Sequence, residues 1–576
     1  MISPRRRLTR RLAVILTCLA AVPFSVGSAT SVAAEGSYQR ISGEGSSWSA
    51  NAIDAMRVNV RQFGITVDFN PTGSTAGRKN FLNGTVDFAA SDIPFQFAPE
   101  DGSAPENPAP GSYAYIPVVA GGTAFMYNLQ INGERVTNLR LSGENVVKIF
   151  TGVITTWNDP VIQADNPGLV MPARTIVPVV RSDGSGSSGQ FTKWMIGMHG
   201  GLWNDYCQRS GRAPACGETS FYPTIPGMIA QQGDLGVSGY VSQGFAEGAI
   251  GYVNYSYALG AQFPVAKVLN AAGYYTEPTP ENVAVSLLQA RINTNESDPT
   301  VYLTQQLEGV YTDTDPRSYQ LSSYSYLIVP TKVAGQFNLD KGKTLGAFAY
   351  YAMCQAQQQS ASLGYSPMPI NLVEASFEQI RKIPGVVVQD IDISACKNPT
   401  FASDGSNLLA DNAPRPQECD KKGTSQCSNG TGGLSSLPTD VIATPTGTTP
   451  AGGTTPAGGT TPAGGTTPAG GTTPAGGTTV AGGTTPAGGA SVDGAPIVGG
   501  VCDPDTGVCG APTAGGLLDG GATGGGAIGA ISPTVLNQAS GWSSSIAVML
   551  LIVGLTLTLV IAPAFVWRRL ARKATA

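Results

Sequence analysis

Hydrophobic and polar positions divide this chain into distinct stretches. From about Ser37 to Thr400, helix-like and strand-like segments alternate, separated by glycine-bearing turns. Helices are predicted over 50–63, 77–83, 144–149 and 189–196, and strands over 65–69, 86–90 and 175–180. Alternation at this spacing predicts an α/β domain with mainly parallel sheets, long enough for two lobes. Pro178 marks the 175–180 strand as an edge or a bulge, because proline removes a ladder donor. Ligands of such sheets bind at strand carboxyl ends, where the next helix begins. The step from Val180 into Arg181, and from Phe69 towards Gly73, has that order.

Two apolar runs lie outside this stretch. Residues 12–26 follow Arg5, Arg6, Arg7, Arg10 and Arg11 and lead to Val32-Ala33-Ala34, so 1–34 is expected to be a signal peptide cut after Ala34. Cys18 is a poor lipidation signal, since Leu16 and Thr17 precede it. Residues 546–566 are uncharged and apolar, about the ~20 residues a spanning helix needs. Trp542 and Trp567 bracket them, and Arg568, Arg569, Arg572 and Lys573 predict a cytoplasmic tail at 567–576. The expectation is a protein held at the cell surface by one C-terminal helix, its globular part outside.

Between globule and anchor, 441–543 is a disordered linker in which TTPAGG recurs from Thr448. Such a short repeat has no bulky apolar face to stack. A flexible chain of about 100 residues spans roughly 55 Å on average. Its threonines are potential sugar carriers.

Charge changes the picture once the ends are set aside. The whole chain carries 34 cations and 39 acids; the two ends hold nine cations and no acid, which leaves 25 against 39, or −14. That surface suits neither nucleic acid nor anionic lipid. An anion would have to be held by local donors and a single buried cation. Without Cys18, eight cysteines remain, and proximity suggests Cys207 with Cys216, Cys354 with Cys396, Cys419 with Cys427 and Cys502 with Cys509. No CxxC pair occurs and His199 is the only histidine, so neither a zinc site nor a histidine base is expected.

Three glycine- and hydroxyl-rich turns carry the candidate chemistry: GEGSSW at 43–48, GSTAG at 73–77 and RSDGSGSSG at 181–189. A turn of this kind leading into a helix presents free N–H groups at the positive end of a macrodipole, which favours a small oxyanion. Three turns, one with a guanidinium, point to a single tetrahedral anion.

Here the residues support a resemblance. The opening GEGSSWSANAIDAM, the stretch from Gly64 to Phe95 ending in Ala90-Ser91-Asp92, FTGVITTWNDPVI, VVRSDGSGSSGQFTKWM and AIGYVNYSYAL follow one another as in the PstS family, the phosphate-binding proteins of ABC phosphate importers. The resemblance extends from about Ser37 to Gln389 and implies a two-lobe periplasmic-binding-protein-like (type II) α/β fold with a hinge. The domain is expected at 35–400, with lobe 1 at 37–115 and 323–397 and lobe 2 at 116–322. A cysteine-containing extension follows at 401–440.

The resemblance also implies a ligand set: Ser47, the N–H of Trp48, Ser74, Asp92, Arg181, Ser185, Gly186 and Ser187, with Asp183 orienting Arg181. Asp92 is then an acceptor for the proton that phosphate retains and sulfate lacks. Ser47-Trp48 departs from the family's Thr-Phe. Arg78 adds a second cation that either faces solvent or biases the site towards another anion. The Tyr252, Tyr255 and Tyr257 run reads as strand packing. The implied partners are inorganic phosphate and the membrane permease; the protein is expected to be a monomer with no cofactor and no enzymatic activity. The alternative is a surface module that binds anionic polymers, or a hydrolase, on the same fold.

Overall fold

The computed structural model describes residues 38–212 and 216–440. The expected signal peptide, linker, membrane helix and tail, and the pairing of Cys502 with Cys509, lie outside the described residues. Among the described residues no helix is long and apolar enough to cross a membrane.

In chain order, the strands that build the main sheet are β1 (Ile41–Gly45), β2 (Val67–Asn70), β3 (Phe88–Ser91), β4 (Tyr113–Tyr127), β5 (Val177–Arg181), β6 (Ile229–Gln231), β7 (Ala249–Asn254) and β8 (Ser322–Pro330). The helices that matter for the site are α1 (Ala50–Asn59), α2 (Ser74–Leu82), α3 (Gly143–Phe150), α4 (Gly186–Arg209) and α5 (Gly233–Val241). The strands lie in the order β2-β1-β3-β8-β4-β7-β5-β6. At one end β1 pairs parallel with β2 and β3; at the other, β5 pairs parallel with β7 and β6.

The middle of the sheet is antiparallel, so the mainly parallel expectation becomes a mixed sheet. Strand β4 pairs along its first part with β8, from Tyr113 opposite Pro330 to Gly122 opposite Ser322. Its last part, from Thr123 to Tyr127, pairs with β7. One long strand thus belongs to both lobes, and both β4 and β8 are buried throughout. A strand buried on both faces reads as a nearly continuous apolar run.

Pro178 is neither on an edge strand nor at a bulge. Val177 donates its N–H to Gly248 on the β7 side. The next residue would donate the other way, where β6 joins only from Val179 onwards. The missing donor therefore removes no ladder bond.

Each lobe has its own aromatic core. On the first, Phe88 stacks on Phe69 and tilts against Phe348. On the second, Phe191 contacts Phe125, Phe150 and Tyr252. The predicted helix at 50–63 is α1 continued by a 3₁₀ turn, Val60–Phe63, and closed by Gly64. Helix α2 starts at Ser74, three residues before the expected start. Helix α4 is far longer than predicted and kinks at His199, whose ring packs edge-on against Trp194.

Three disulfides join Cys207 to Cys216, Cys354 to Cys396 and Cys419 to Cys427, as expected. Residues beyond 400 belong to the packed structure. Ala410 and Ala413 bury against Ala284 and Val285. Further on, Arg140 donates to the carbonyls of Cys419 and Ser425, and Lys267 pairs with Asp420 at 2.8 Å.

Candidate anion site

The carboxyl ends of five parallel strands meet between the lobes. Strand β1 runs through Ser46, Ser47 and Trp48 into α1, and β2 reaches α2 through Gly73. Strand β3 ends just before Asp92, β5 ends on Arg181 before α4, and β6 leads into α5. Gly73 adopts a φ of +100°, and a Cβ there would lie 2.5 Å from Asp183 Oδ2. Only glycine allows both the turn and the approach. Helices α1, α2, α4 and α5 therefore all begin at this cleft, each with first-turn N–H groups that have no partner within their own helix.

The nine expected site residues come together here. Arg181 is buried and forms the centre. Its Nε and Nη2 donate to Asp183 at 2.8 and 2.5 Å, a two-pronged pair that fixes the guanidinium plane. Nη1 donates to Ser187 Oγ at 3.1 Å, and Nη2 to Ser47 Oγ across the cleft at 2.8 Å. Ser185 caps α4 through the Ser188 N–H and sits 2.8 Å from the Ser187 hydroxyl. A Cβ on Gly186 would stand 2.5 Å from Ser74 Oγ and 2.7 Å from Asp92 Oδ2, so this glycine lets the two lobes touch. The lobes also bond directly, Thr75 N–H to Gly184 O at 3.0 Å and Gln190 to the Asp92 carbonyl at 2.8 Å.

Asp92 is held by three hydroxyls. Ser46 and Ser325 donate to Oδ1 at 2.6 and 2.8 Å, and Ser74 to Oδ2 at 3.3 Å. Burial pushes its carboxyl up to about 6; the Ser46 and Ser325 bonds act in the opposite sense, and the charge of Asp234 adds to the rise. Burial also works against the charge on Arg181, but Asp234 and Asp183 outweigh it and hold the guanidinium firmly protonated.

Trp48 anchors the first turn through its side chain. Its indole N–H donates to Thr123 at 3.3 Å, its ring meets Tyr365 edge-on, and its carbonyl accepts from the Tyr365 hydroxyl at 2.6 Å.

Several residues of the site are given no part in it by the sequence reading. Asp234 accepts from Arg181 Nη1 and from Ser47 Oγ, both at 2.6 Å. Ser46 and Ser325 complete the Asp92 shell. Tyr252 bonds Ser188 and the Arg181 N–H, while Tyr257 donates to the Ser47 carbonyl at 2.6 Å. Of the three tyrosines read as strand packing, only Tyr252 lies on a strand; Tyr255 and Tyr257 open the helix Tyr255–Ala261. The GEGSSW turn signalled Ser46. Nothing in Gly233-Asp234-Leu235-Gly236 marks an arginine partner. Arg78 does not face solvent: it is buried against Glu106 at 2.7 Å and Ser91 at 2.9 Å. Its charge is matched within its own lobe.

The sequence matches the PBP superfamily domain over residues 28–356. It is 32% identical over 312 residues to the phosphate-binding protein PstS 2 of Mycobacterium tuberculosis, covering 53% of this chain and 76% of that protein. It is 29% identical over 356 residues to the phosphate-binding protein PstS 3 of the same organism, covering 60% of this chain and 87% of that one. A solved phosphate-binding protein from Stenotrophomonas maltophilia is similar at 19% identity and a TM-score of 0.42, over 64% of this chain and 99% of its own, a likeness too low to carry weight.

Proposed function

This chain belongs to the PBP superfamily and, within it, to the PstS phosphate-binding proteins, and from that premise we propose that it captures one inorganic phosphate between its lobes and delivers it to an ABC-type importer. The observation that carries the reading is a single guanidinium, Arg181, buried where helix N-termini of both lobes meet, with the carboxyl of Asp92 close by. In this reading Ser47, Trp48 and Ser74 donate from the first lobe, and Arg181, Ser185, Gly186 and Ser187 from the second. Asp183 holds Arg181 in plane. Asp92 accepts the proton that the ion retains.

The enclosure favours a transport role over the polymer-binding alternative, because a polymer needs an open groove and Ser47, Asp92 and Arg181 are each at most 2% exposed. The relatives' names describe binding proteins, which fits a non-enzymatic role. Equilibrium binding of labelled phosphate to the full-length chain tests the proposal. One ion bound per chain is expected; no saturable binding of phosphate, with an anionic polymer bound instead, would overturn it.

We extend the reading to the ends of the chain. After cleavage behind Ala34, residues 546–566 are the protein's hold on the membrane, and the TTPAGG tether lets a monomeric binding domain sample the space around the permease. A chain ending at Asn537 is expected in the medium, folded and binding phosphate, with Glu35 at its N-terminus. Retention of that shortened chain on the membrane through an acylated Cys18, read by mass spectrometry of the N-terminal peptide, would refute the topology.

A further inference from the structure

Asp234 is the site's unexplained charge. It occupies the second position of α5, on the lobe opposite Asp92, and its side chain is wholly buried. Oδ1 accepts the Asn254 N–H at 2.7 Å. Oδ2 takes the Ser47 hydroxyl and Arg181 Nη1, two donors that the proposed function gives to the anion. Asp183 already fixes the guanidinium with two bonds, so a second carboxylate is not needed to orient it. The network holds one guanidinium against three carboxyls, Asp92, Asp183 and Asp234.

We propose that Asp234 is a second proton acceptor for the bound ion and selects the diprotonated, singly charged form of phosphate. The inference rests on the phosphate reading above. The dibasic ion has one proton; given to Asp92, it leaves bare phosphate oxygens facing Asp234, a like-charge contact in a buried site. The monobasic ion has a proton for each carboxylate and one charge less. Above neutral pH, where the dibasic ion prevails in solution, binding then takes up one proton, which forms an O–H bond on phosphate; no other bond changes.

Six other titratable groups surround Asp234, of which Asp92, at about 6, lies below the pH at which the uptake is read. They are Arg181 at the end of β5, Asp183 in the turn beyond it, Asp92 across the cleft, Tyr252 on β7, Tyr257 on the following helix and Tyr365. Burial pushes all three tyrosines above their usual range, and Arg181 stays charged, so none of these four titrates near neutrality.

Calorimetric titration of the full-length chain with inorganic phosphate, at several pH values and in buffers of different ionisation enthalpy, tests this. The dissociation constant is expected to rise about tenfold per pH unit above neutrality, with about one proton taken up per ion at about pH 8.5. Asp234→Asn should flatten the profile, abolish the uptake and tighten binding at that pH at least about tenfold. Asp234→Ser should act in the same direction, which guards against a folding defect in either variant. Parallel profiles for wild type and Asp234→Asn, or weaker binding of both variants at every pH, would make Asp234 a mere brace for Arg181 and overturn the inference. A wild-type chain that binds phosphate with a flat profile and no uptake overturns this inference alone. One that binds no phosphate at any pH overturns the proposed function.

Discussion

Replacing Arg181 with alanine is expected to weaken phosphate binding by at least about a hundredfold. Truncating one partner of a buried, hydrogen-bonded charge pair costs about 2 to 5 kcal/mol of binding, and this guanidinium is the cation at the centre of the site. The same change strips Asp183 and Asp234 of their counter-charge, so the variant should also melt earlier. Arg181→Lys keeps the charge without the two-pronged fork, and should recover stability more than affinity. Arg78→Ala is the control. It breaks a buried pair with Glu106 and should lower stability by about 3 to 5 kcal/mol, while the folded protein keeps its affinity. Titration and thermal melting of the four proteins separate the two effects; an affinity loss for Arg78→Ala larger than for Arg181→Ala would show that the wrong cation was chosen.

Sulfate is expected to bind at least about a hundredfold more weakly than phosphate, equivalent to a few kcal/mol. Asp92 is the reason. Its carboxyl, gripped by the hydroxyls of Ser46, Ser74 and Ser325, is free to accept but cannot withdraw. Phosphate meets it with a proton, whereas sulfate meets it with a bare oxygen. Asp92→Asn should narrow the gap by relieving the repulsion of sulfate and losing the bond to phosphate. Comparable affinities of the wild-type chain for the two anions would remove Asp92 from its role.

The turns were legible in the sequence because glycine and serine have local reasons to be where they are. GEGSSW, GSTAG and RSDGSGSSG each announce a strand-to-helix step, and the structure brings all three to one place. Asp183 came with the family resemblance, and the structure places it two residues along from the arginine it orients. Asp234 was not legible, since it lies 53 positions from Arg181 and only the folding of β6 and α5 beside β5 joins them. Ser325 was hidden for the same reason: it reaches Asp92 through the crossing strand β8. The mixed sheet escaped because local pattern gives the existence of a strand, not the direction of its neighbour. Pro178 misled for the same reason, its side of β5 being unpaired only because β6 begins one residue later.

The elevated carboxyl of Asp92 also makes the fold itself a titrating system. Its ordinary value is 3.8 and its folded value about 6. A raised acid favours the folded state while protonated, so this contribution is fully present below about 4 and is lost as the pH rises through about 6. Two units correspond to about 3 kcal/mol, a sizeable share of a domain's margin against unfolding. In denaturant titrations the wild-type chain should therefore lose stability between about pH 4 and pH 6.5 relative to Asp92→Asn, whose amide cannot titrate. Identical pH dependence in the two chains would show that the buried carboxyl is not the source. The residue that gives the site its choice of anion would then also be a standing cost to the globule at neutral pH, a cost that the proton carried by phosphate offsets each time the lobes close on it.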